Sequence, residues 1–290
     1  MKSFVDLHLH SHCSDGSYPP SEVIRRVAEA GLRAASICDH DMVDGTDEAL
    51  QAGLEYDVEV LVGVELSVAW ESYQDIHLLG YGFDHHHSGL NSALQGFRDF
   101  RKNRNIMIVE RVNEKLAAEG KTQLLLDAVQ ARAAGAIGRP HIAMELVEQG
   151  HVADSDDAFR RYLVPCNVEK RFFPVNEAVN LLHRAGGIAV LAHPPFISPE
   201  RRVISDLLDA FVELGLDGVE AYNSGGSNDD IEWAITEARR RDLIITGGSD
   251  FHGESKGDIR IGSGRGNLKI PYSCVEEIGR AVAKRAGQAG

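Results

Sequence analysis

The sequence predicts an α/β chain: a distorted, irregular seven-stranded (β/α) barrel interrupted by one helical insertion. Three observations predict it. Short apolar runs alternate with amphipathic helical segments from residue 5 to about 85 and again from about 170 onward. Each of the seven apolar runs bears a His, Asp or Glu within it or just beyond it, and in a barrel reactive residues gather at the carboxyl ends of the strands. Between about 90 and 170 the rhythm fails, leaving only helical spacing. The expected division is therefore a barrel over residues 1–88 and 170–290, with residues 89–169 as a helical cap at the barrel mouth.

Residues 5–10 form the first strand by strict alternation, with Val5, Leu7 and Leu9 on one side and Asp6, His8 and His10 on the other. Side chains two apart lie roughly 6.5 to 7 Å apart along such a strand. Both imidazoles can therefore lean toward one ion, with Asp6 beneath them. Residues 11–16 read as a loop that brings His12 and Asp15 back over the strand end. Ser21 is the expected N-cap of a helix in which Val23, Ile24, Val27 and Ala30 repeat up to a stop at Gly31. Residues 34–38 form the next strand, ending in Asp39-His40-Asp41. A helix over 49–56 leads to a strand over 58–68 carrying Glu65, then to a strand over 76–83 carrying His77.

Beyond the insertion, a helix over 176–185 precedes a strand over 188–192 that runs into His193-Pro194. A helix over 204–214, a strand over 219–222 with Glu220, a helix over 229–241 and a strand over 243–246 running into GGSDFH follow. Residues 275–284 close the pattern as a helix. In the insertion, residues 94–119 read as one long helix, followed by helices over 124–133, 141–149 and 155–162. Basic residues gather there: Arg98, Arg101, Lys102, Arg104, Arg111, Arg132 and Arg139. Arg101 and Arg104, three apart, share a helix face. The histidines at 85–87 fall in a loop with no metal role assigned, because adjacent residues point apart on any regular element.

Composition excludes several classes. A hydrophobic fraction of 43% and a charged fraction of 26% are those of an ordinary globular protein. No apolar run approaches the roughly 18 to 20 residues that span a bilayer, and the N-terminus enters a strand at once, so a cytoplasmic protein is expected. Cys13, Cys38, Cys166 and Cys274 are scattered, without a CxxC pair, as free thiols in a reducing compartment are. A net charge of -14 argues against binding long nucleic acid, which requires a broad basic surface. It leaves a phosphorylated small molecule open, since bound cations would offset the carboxylates at a site.

The candidate ligands are His8, His10, Asp15, His40, Glu65, His77, His193, Asp250 and His252. With DLHLH at 6–10, CDHD at 38–41, AHP at 192–194 and SDFH at 249–252, the chain resembles the polymerase and histidinol phosphatase (PHP) phosphoesterases. The resemblance covers about residues 1–85 and 170–265. It implies a distorted barrel of PHP type with a trinuclear metal site. Carried over, it implies that His8, His10, Glu65 and Asp250 hold one ion. Glu65 would bridge to a second completed by His77 and His193, while Asp15, His40 and His252 would hold a third. Some relatives have histidine where Asp15 stands. Mixed imidazole and carboxylate ligands suit manganese, with iron or zinc as the other choices, better than magnesium or calcium. Two ions about 3.5 to 4 Å apart can share a hydroxide and polarise a phosphoryl oxygen. That hydroxide would be the nucleophile; the proton donor stays open. Asp6 and Asp39 are expected to accept histidine N–H groups and so fix ring orientation.

A barrel interrupted after the His77 strand, with FRDFRKNRN at 97–105 and GRPHIA at 138–143, is similar to bacterial nucleoside 3',5'-bisphosphate phosphatases, a subgroup that includes short-RNA 5'-3' exonucleases. The resemblance implies that Lys102, Arg104, Arg139 and His141 bind the phosphate that is retained. Each basic residue has an ordinary alternative on a solvated face, and His141 has one as a helix cap. Asn223 either orients the phosphate or sugar or serves the turn beside Ser224-Gly225-Gly226. The implied substrate is a nucleoside 3',5'-bisphosphate, losing its 3'-phosphate. Short 5'-phosphorylated RNA and histidinol phosphate are the rival substrates, and a non-catalytic PHP module that binds a partner is the rival of another class.

Overall fold

The computed structural model describes residues 3–132 and 138–287. They fall into two compact units, one of residues up to Leu94 and from Phe172 on, the other Gln95–Arg171.

The first unit is the barrel. Its strands are β1 (Val5–Leu9), β2 (Ala34–Ile37), β3 (Glu59–Trp70), β4 (Tyr73–Tyr81), β5 (Phe173–Pro174), β6 (Ile188–Leu191), β7 (Gly218–Asn223) and β8 (Ile244–Gly248). The sheet runs β1-β2-β3-β4-β6-β7-β8, with the two-residue β5, which periodicity did not predict, paired to β3. The path nearly closes on itself. His10 N–H donates to the Phe251 carbonyl and Asp250 N–H to the His8 carbonyl, both at 2.9 Å. A Cβ on Gly248 would lie 2.0 Å from the His8 Cβ, so only glycine lets β8 come this close to β1.

The distortion of the barrel lies at one strand. β4 pairs antiparallel with both β3 and β6, while the other consecutive pairs in the path are parallel. Only Glu71 and Ser72 separate β3 from β4, and a parallel crossover needs a dozen residues or more. The reversal matters for the site: His77 lies midway along β4, in register with Ser67, at the level where β3 presents Glu65.

The barrel helices are α1 (Pro20–Glu29), α2 (Thr46–Tyr56), α7 (Val175–Arg184), α8 (Arg201–Glu213), α9 (Asn228–Arg240) and α10 (Ser273–Ala286), with α3 (Ser88–Ala118) running from this unit into the next. α1 starts two residues earlier than an N-cap at Ser21 implies, with Pro19 in the capping position. Pro20 occupies the first turn, where a missing N–H costs nothing, and the Ser21 N–H donates to Glu48 Oε1 at 3.0 Å. The apolar face of α1 buries Val23, Ile24 and Val27 against Leu9, Ala35, Ile37 and Ala52.

The helical unit contains α4 (Leu126–Gln130), α5 (Arg139–Glu148) and α6 (Ser155–Ala158), which passes into a wider turn over Phe159–Leu163. It has its own core, in which Ile108, Val112 and Leu116 of α3 meet Ile142, Leu146 and Tyr162. Among the described residues no helix is long and apolar enough to cross a membrane.

Candidate metal centre

Every strand of the barrel path except β7 delivers a candidate ligand to one end of the barrel. His8 lies in β1 and His10 just after it; His40 follows β2; Glu65 and His77 lie in β3 and β4; His193 follows β6; Asp250 and His252 follow β8. Asp15 joins them from the loop after β1. Glu65, fully buried, is the hub. Its Oε2 lies 3.3 Å from His8 Nε2, 3.2 Å from His10 Nε2 and 3.2 Å from His40 Nδ1. Its Oε1 lies 2.8 Å from His77 Nδ1 and 2.9 Å from His193 Nε2. Asp250 Oδ1 faces His10 Nε2 at 3.3 Å and His8 Nε2 at 3.8 Å. Asp15 faces His252 Nε2 at 3.3 Å, His10 Nδ1 at 3.6 Å and His40 Nε2 at 3.7 Å.

Eight of these nine residues fall in groups that fit divalent ions, and the ninth, His193, sets its Nε2 3.3 Å from His77 Nδ1. Three groups have ligand atoms within 4.8 Å of one another: His8, His10, Glu65 and Asp250; His40, Glu65 and His77; and His10, Asp15, His40 and His252. Donors on one ion with bonds of about 2.1 Å sit about 2.9 to 3.4 Å apart, and His8 Nε2 and His10 Nε2 are 3.1 Å apart. Glu65 Oε2, His10 Nδ1, His40 Nδ1 and His193 Nδ1 are buried with no hydrogen-bond partner among the described residues. Lone pairs that converge at this distance without a hydrogen-bond angle are costly unless a cation accepts them. His193 and Asp250 also hold the strained left-handed backbone, with φ of 26° and 58°.

Charge follows the same logic. Burial alone would raise the Glu65, Asp15 and Asp250 carboxyls, but the surrounding imidazoles hold all three below the ordinary range. Burial depresses His40 to about 3, leaving it neutral. At His10 and His77 burial is outweighed by carboxylates, by Asp250 and Glu65 at the first and chiefly by Glu65 at the second, so that they rise to about 9 and about 10. Without ions these rings therefore hold protons that an ion must displace. Manganese titrated into chelator-stripped protein at pH 7.5 should release at least about one proton per chain, read from calorimetry in buffers of different ionisation enthalpy. The sign for stability is fixed too. The raised imidazoles contribute fully below the ordinary histidine value of 6.5, and that contribution is lost as pH rises through about 9 to 10. Stripped protein should thus unfold at lower urea at pH 9.5 than at pH 6; an equal midpoint would count against this assignment of protons.

The supporting carboxylates differ from expectation. Asp6 and Asp39 do not accept from histidine rings. Asp6 accepts main-chain N–H groups of Ser249 (2.9 Å) and Gly262 (2.7 Å), because its position, two residues back along β1, faces backbone donors. Burial raises its carboxyl to about 6 even so. Asp39 accepts the Ser11 N–H and the Ser11 and Ser14 hydroxyls at 2.6 to 2.8 Å, anchoring the loop that carries Asp15. On the other side of His40, Asp41 accepts the Ser67 N–H and hydroxyl, tying this loop to β3. The ring-orienting acid is Glu220 in β7: Oε1 accepts His8 Nδ1 at 2.9 Å and Oε2 accepts the His193 N–H at 2.7 Å. A lone Glu in the apolar run GVEAYN was the sequence signal for it.

Substrate candidates fare unevenly. Asn223 is corrected to a turn role: its Nδ2 donates to the Glu220 and Ala221 carbonyls and its Oδ1 accepts the Gly225 N–H. Arg104 is buried in the helical unit, where it donates to the Val168 carbonyl at 2.7 Å and to Asn167 Oδ1 at 2.9 Å, a brace from α3 to a following segment. His141 caps α5, its Nδ1 accepting the Gly138 N–H at 2.9 Å, so that Nε2 carries the ring proton. Arg139 lies over the Phe159 ring at 5.6 Å and has no ion-pair partner among the described residues. The Lys102 side chain lies outside the described residues. One residue went unremarked in the sequence: Phe196, 55% exposed, stands edge-on to His193 at 5.3 Å.

The PHP domain family matches residues 6–165. A 5'-3' exoribonuclease of Haemophilus influenzae is 34% identical over 87% of this chain and 91% of its own. A 3',5'-nucleoside bisphosphate phosphatase of Chromobacterium violaceum is 33% identical over 89% of this chain and 90% of its own. Among solved structures, a Bifidobacterium adolescentis chain assigned as a metal-dependent phosphoesterase superposes with a TM-score of 0.75 at 30% identity, covering 94% of each chain. The chain belongs to the PHP family. It is a hydrolase, of the metal-dependent phosphoesterase class.

Proposed function

We propose that this enzyme hydrolyses the 3'-phosphate of nucleoside 3',5'-bisphosphates such as 3'-phosphoadenosine 5'-phosphate, using two or three divalent ions, manganese before iron or zinc. The observation that carries the reading is Glu65, whose two oxygens face two different sets of imidazoles, as a carboxylate between neighbouring ions does. His8, His10, Glu65 and Asp250 would hold one ion, Glu65, His77 and His193 a second beside His40, and Asp15, His40 and His252 a third with His10. When bound, such ions supply Lewis acidity to a phosphoryl oxygen and a water made nucleophilic at neutral pH. The chain's own part is orientation. Glu220 keeps the His8 proton on Nδ1 so that Nε2 offers its lone pair, and Asp39 and Asp41 hold the flanking loops in register.

Phe196 supplies an aromatic face beside His193 for a nucleobase. The four free cysteines support a reducing, cytoplasmic setting.

Phosphorus NMR of 3'-phosphoadenosine 5'-phosphate treated with the manganese-loaded enzyme should show the 3'-ester lost and the 5'-ester kept. Histidinol phosphate should turn over far more slowly. A second reading, 5'-3' hydrolysis of short 5'-phosphorylated RNA, is favoured by the Haemophilus relative; mononucleotide release from such RNA faster than bisphosphate turnover would establish it instead. Phe196→Ala should raise KM for the bisphosphate roughly 5- to 100-fold, the range of one base stack. Its effect on ribose 3,5-bisphosphate, which has no base, should be small. Equal effects on both would remove Phe196 from base recognition.

A further inference from the structure

We propose that Asp47, His85 and His86 form a separate metal site, taking a borderline divalent cation such as zinc, at the junction of α2 and the turn that precedes α3. His85 Nε2 lies 2.8 Å and His86 Nε2 3.7 Å from the same oxygen, Asp47 Oδ1. The two rings lie with centroids 4.0 Å apart, inclined at 39°, and the three ligand atoms are within 4.8 Å of one another. On a strand or helix neighbouring side chains diverge. Here the chain turns, and both imidazoles come round to one carboxylate.

The turn is built rather than loose. The His86 N–H donates to Asp84 Oδ1 at 2.9 Å and the His87 N–H to the Asp84 carbonyl at 3.0 Å. Asn91 Nδ2 donates back to the His85 carbonyl at 2.8 Å and to that of His87 at 3.3 Å. The Asp84 N–H in turn donates to the Ala185 carbonyl at 2.8 Å, fixing the turn to the barrel. Asp47 is equally fixed, in the first turn of α2. A site whose ligands are held by their surroundings loses little freedom on taking an ion.

Charge and chemistry select the ion. Among the described residues, Asp47 has no lysine or arginine within ion-pair distance; its partners are the two imidazoles. Two nitrogens and one carboxylate oxygen, with Asp47 and His86 about 70% exposed, give three protein ligands and room for water, the composition of an open zinc site. Calcium and magnesium prefer oxygen shells and are disfavoured here. His87 is not a ligand. Its Nδ1 accepts the Leu90 N–H at 3.1 Å and starts α3. A bound ion would link α2 to this turn, stabilising the chain by mass action on the folded form.

The full-length, manganese-loaded enzyme is dialysed against micromolar zinc and its zinc counted by mass spectrometry. Wild type should hold one zinc per chain more than His86→Ala or Asp47→Asn, and zinc should raise its melting temperature more than theirs. His87→Ala should keep the wild-type count, and all three variants should keep their hydrolytic rate. Both ligand substitutions are at exposed side chains, so folding is not at risk. Zinc counts equal in wild type, His86→Ala and Asp47→Asn would overturn the site, as would loss of the ion in His87→Ala alone.

Discussion

Glu65→Gln should abolish hydrolysis by on the order of a thousand-fold or more, equivalent to about 4 kcal/mol of barrier, and should strip the protein of tightly held metal. Five imidazole nitrogens lie within 3.3 Å of the Glu65 oxygens, and the other carboxylate facing the His77 ring, Asp75, stands off at 3.9 Å from Nε2. The amide keeps the shape and the β3 ladder but loses the charge, and its NH2 must face one of the two sets of rings. Whichever set it faces meets a donor where it had an anion. Metal analysis and turnover at saturating manganese read the two consequences separately. A Glu65→Gln enzyme with normal metal content and more than a tenth of wild-type rate would remove Glu65 from the centre of the site. The contrast with Asp39→Asn sharpens the test. Asp39 anchors Ser11 and Ser14 rather than a ligand ring, and its loss should loosen the Asp15 loop without emptying the site.

The parts of this fold that were legible in the sequence are those whose signal is local. Alternation in residues 5–10 and apolar runs followed by His or Asp announce the strands and their ligand-bearing ends, because side-chain periodicity is a property of a few consecutive residues. The direction of β4 was readable only from the short gap between the strands read at 58–68 and 76–83, which is too short for a parallel crossover and narrows to two residues in the structure. Side-chain partners were not readable. Asp6 stands beside His8 in sequence, yet the ring is held by Glu220 from a strand more than two hundred residues later, because the near-closure of β1 on β8 also brings β7 across from β1. Arg104, His141 and Asn223 carry the chemistry of phosphate binding but spend donors and acceptors on their own backbone surroundings. The sequence left the cap role of His141 and the turn role of Asn223 open beside phosphate binding, because such side chains compete for nearby backbone groups, and only the structure decides which partner each takes. The histidines at 85 and 86 fail as a motif for the same reason and regain meaning through Asp47, which sequence separation hides.

Glu220→Gln tests whether a residue that touches no candidate ion site directly still governs it. Both Glu220 oxygens are acceptors, one for His8 Nδ1 and one for the His193 N–H, and both contacts are fully buried. Glutamine retains only one carbonyl oxygen. Its amide nitrogen must then oppose either the ring proton of His8 or the main-chain proton of His193, leaving a buried donor unsatisfied. If it faces His8, the ring's proton moves to Nε2 and blocks the lone pair aimed at Glu65 and Asp250. If it faces His193, the strained residue loses the bond that holds its left-handed backbone. Either way the expected loss is 10- to 100-fold in manganese affinity, the usual cost of removing a partner that orients a ligand. Because the direct ligands survive, most of kcat should return at saturating manganese, a recovery that Glu65→Gln should not show. A Glu220→Gln enzyme with unchanged manganese affinity but low kcat would mean that Glu220 acts on the substrate rather than through His8 and His193.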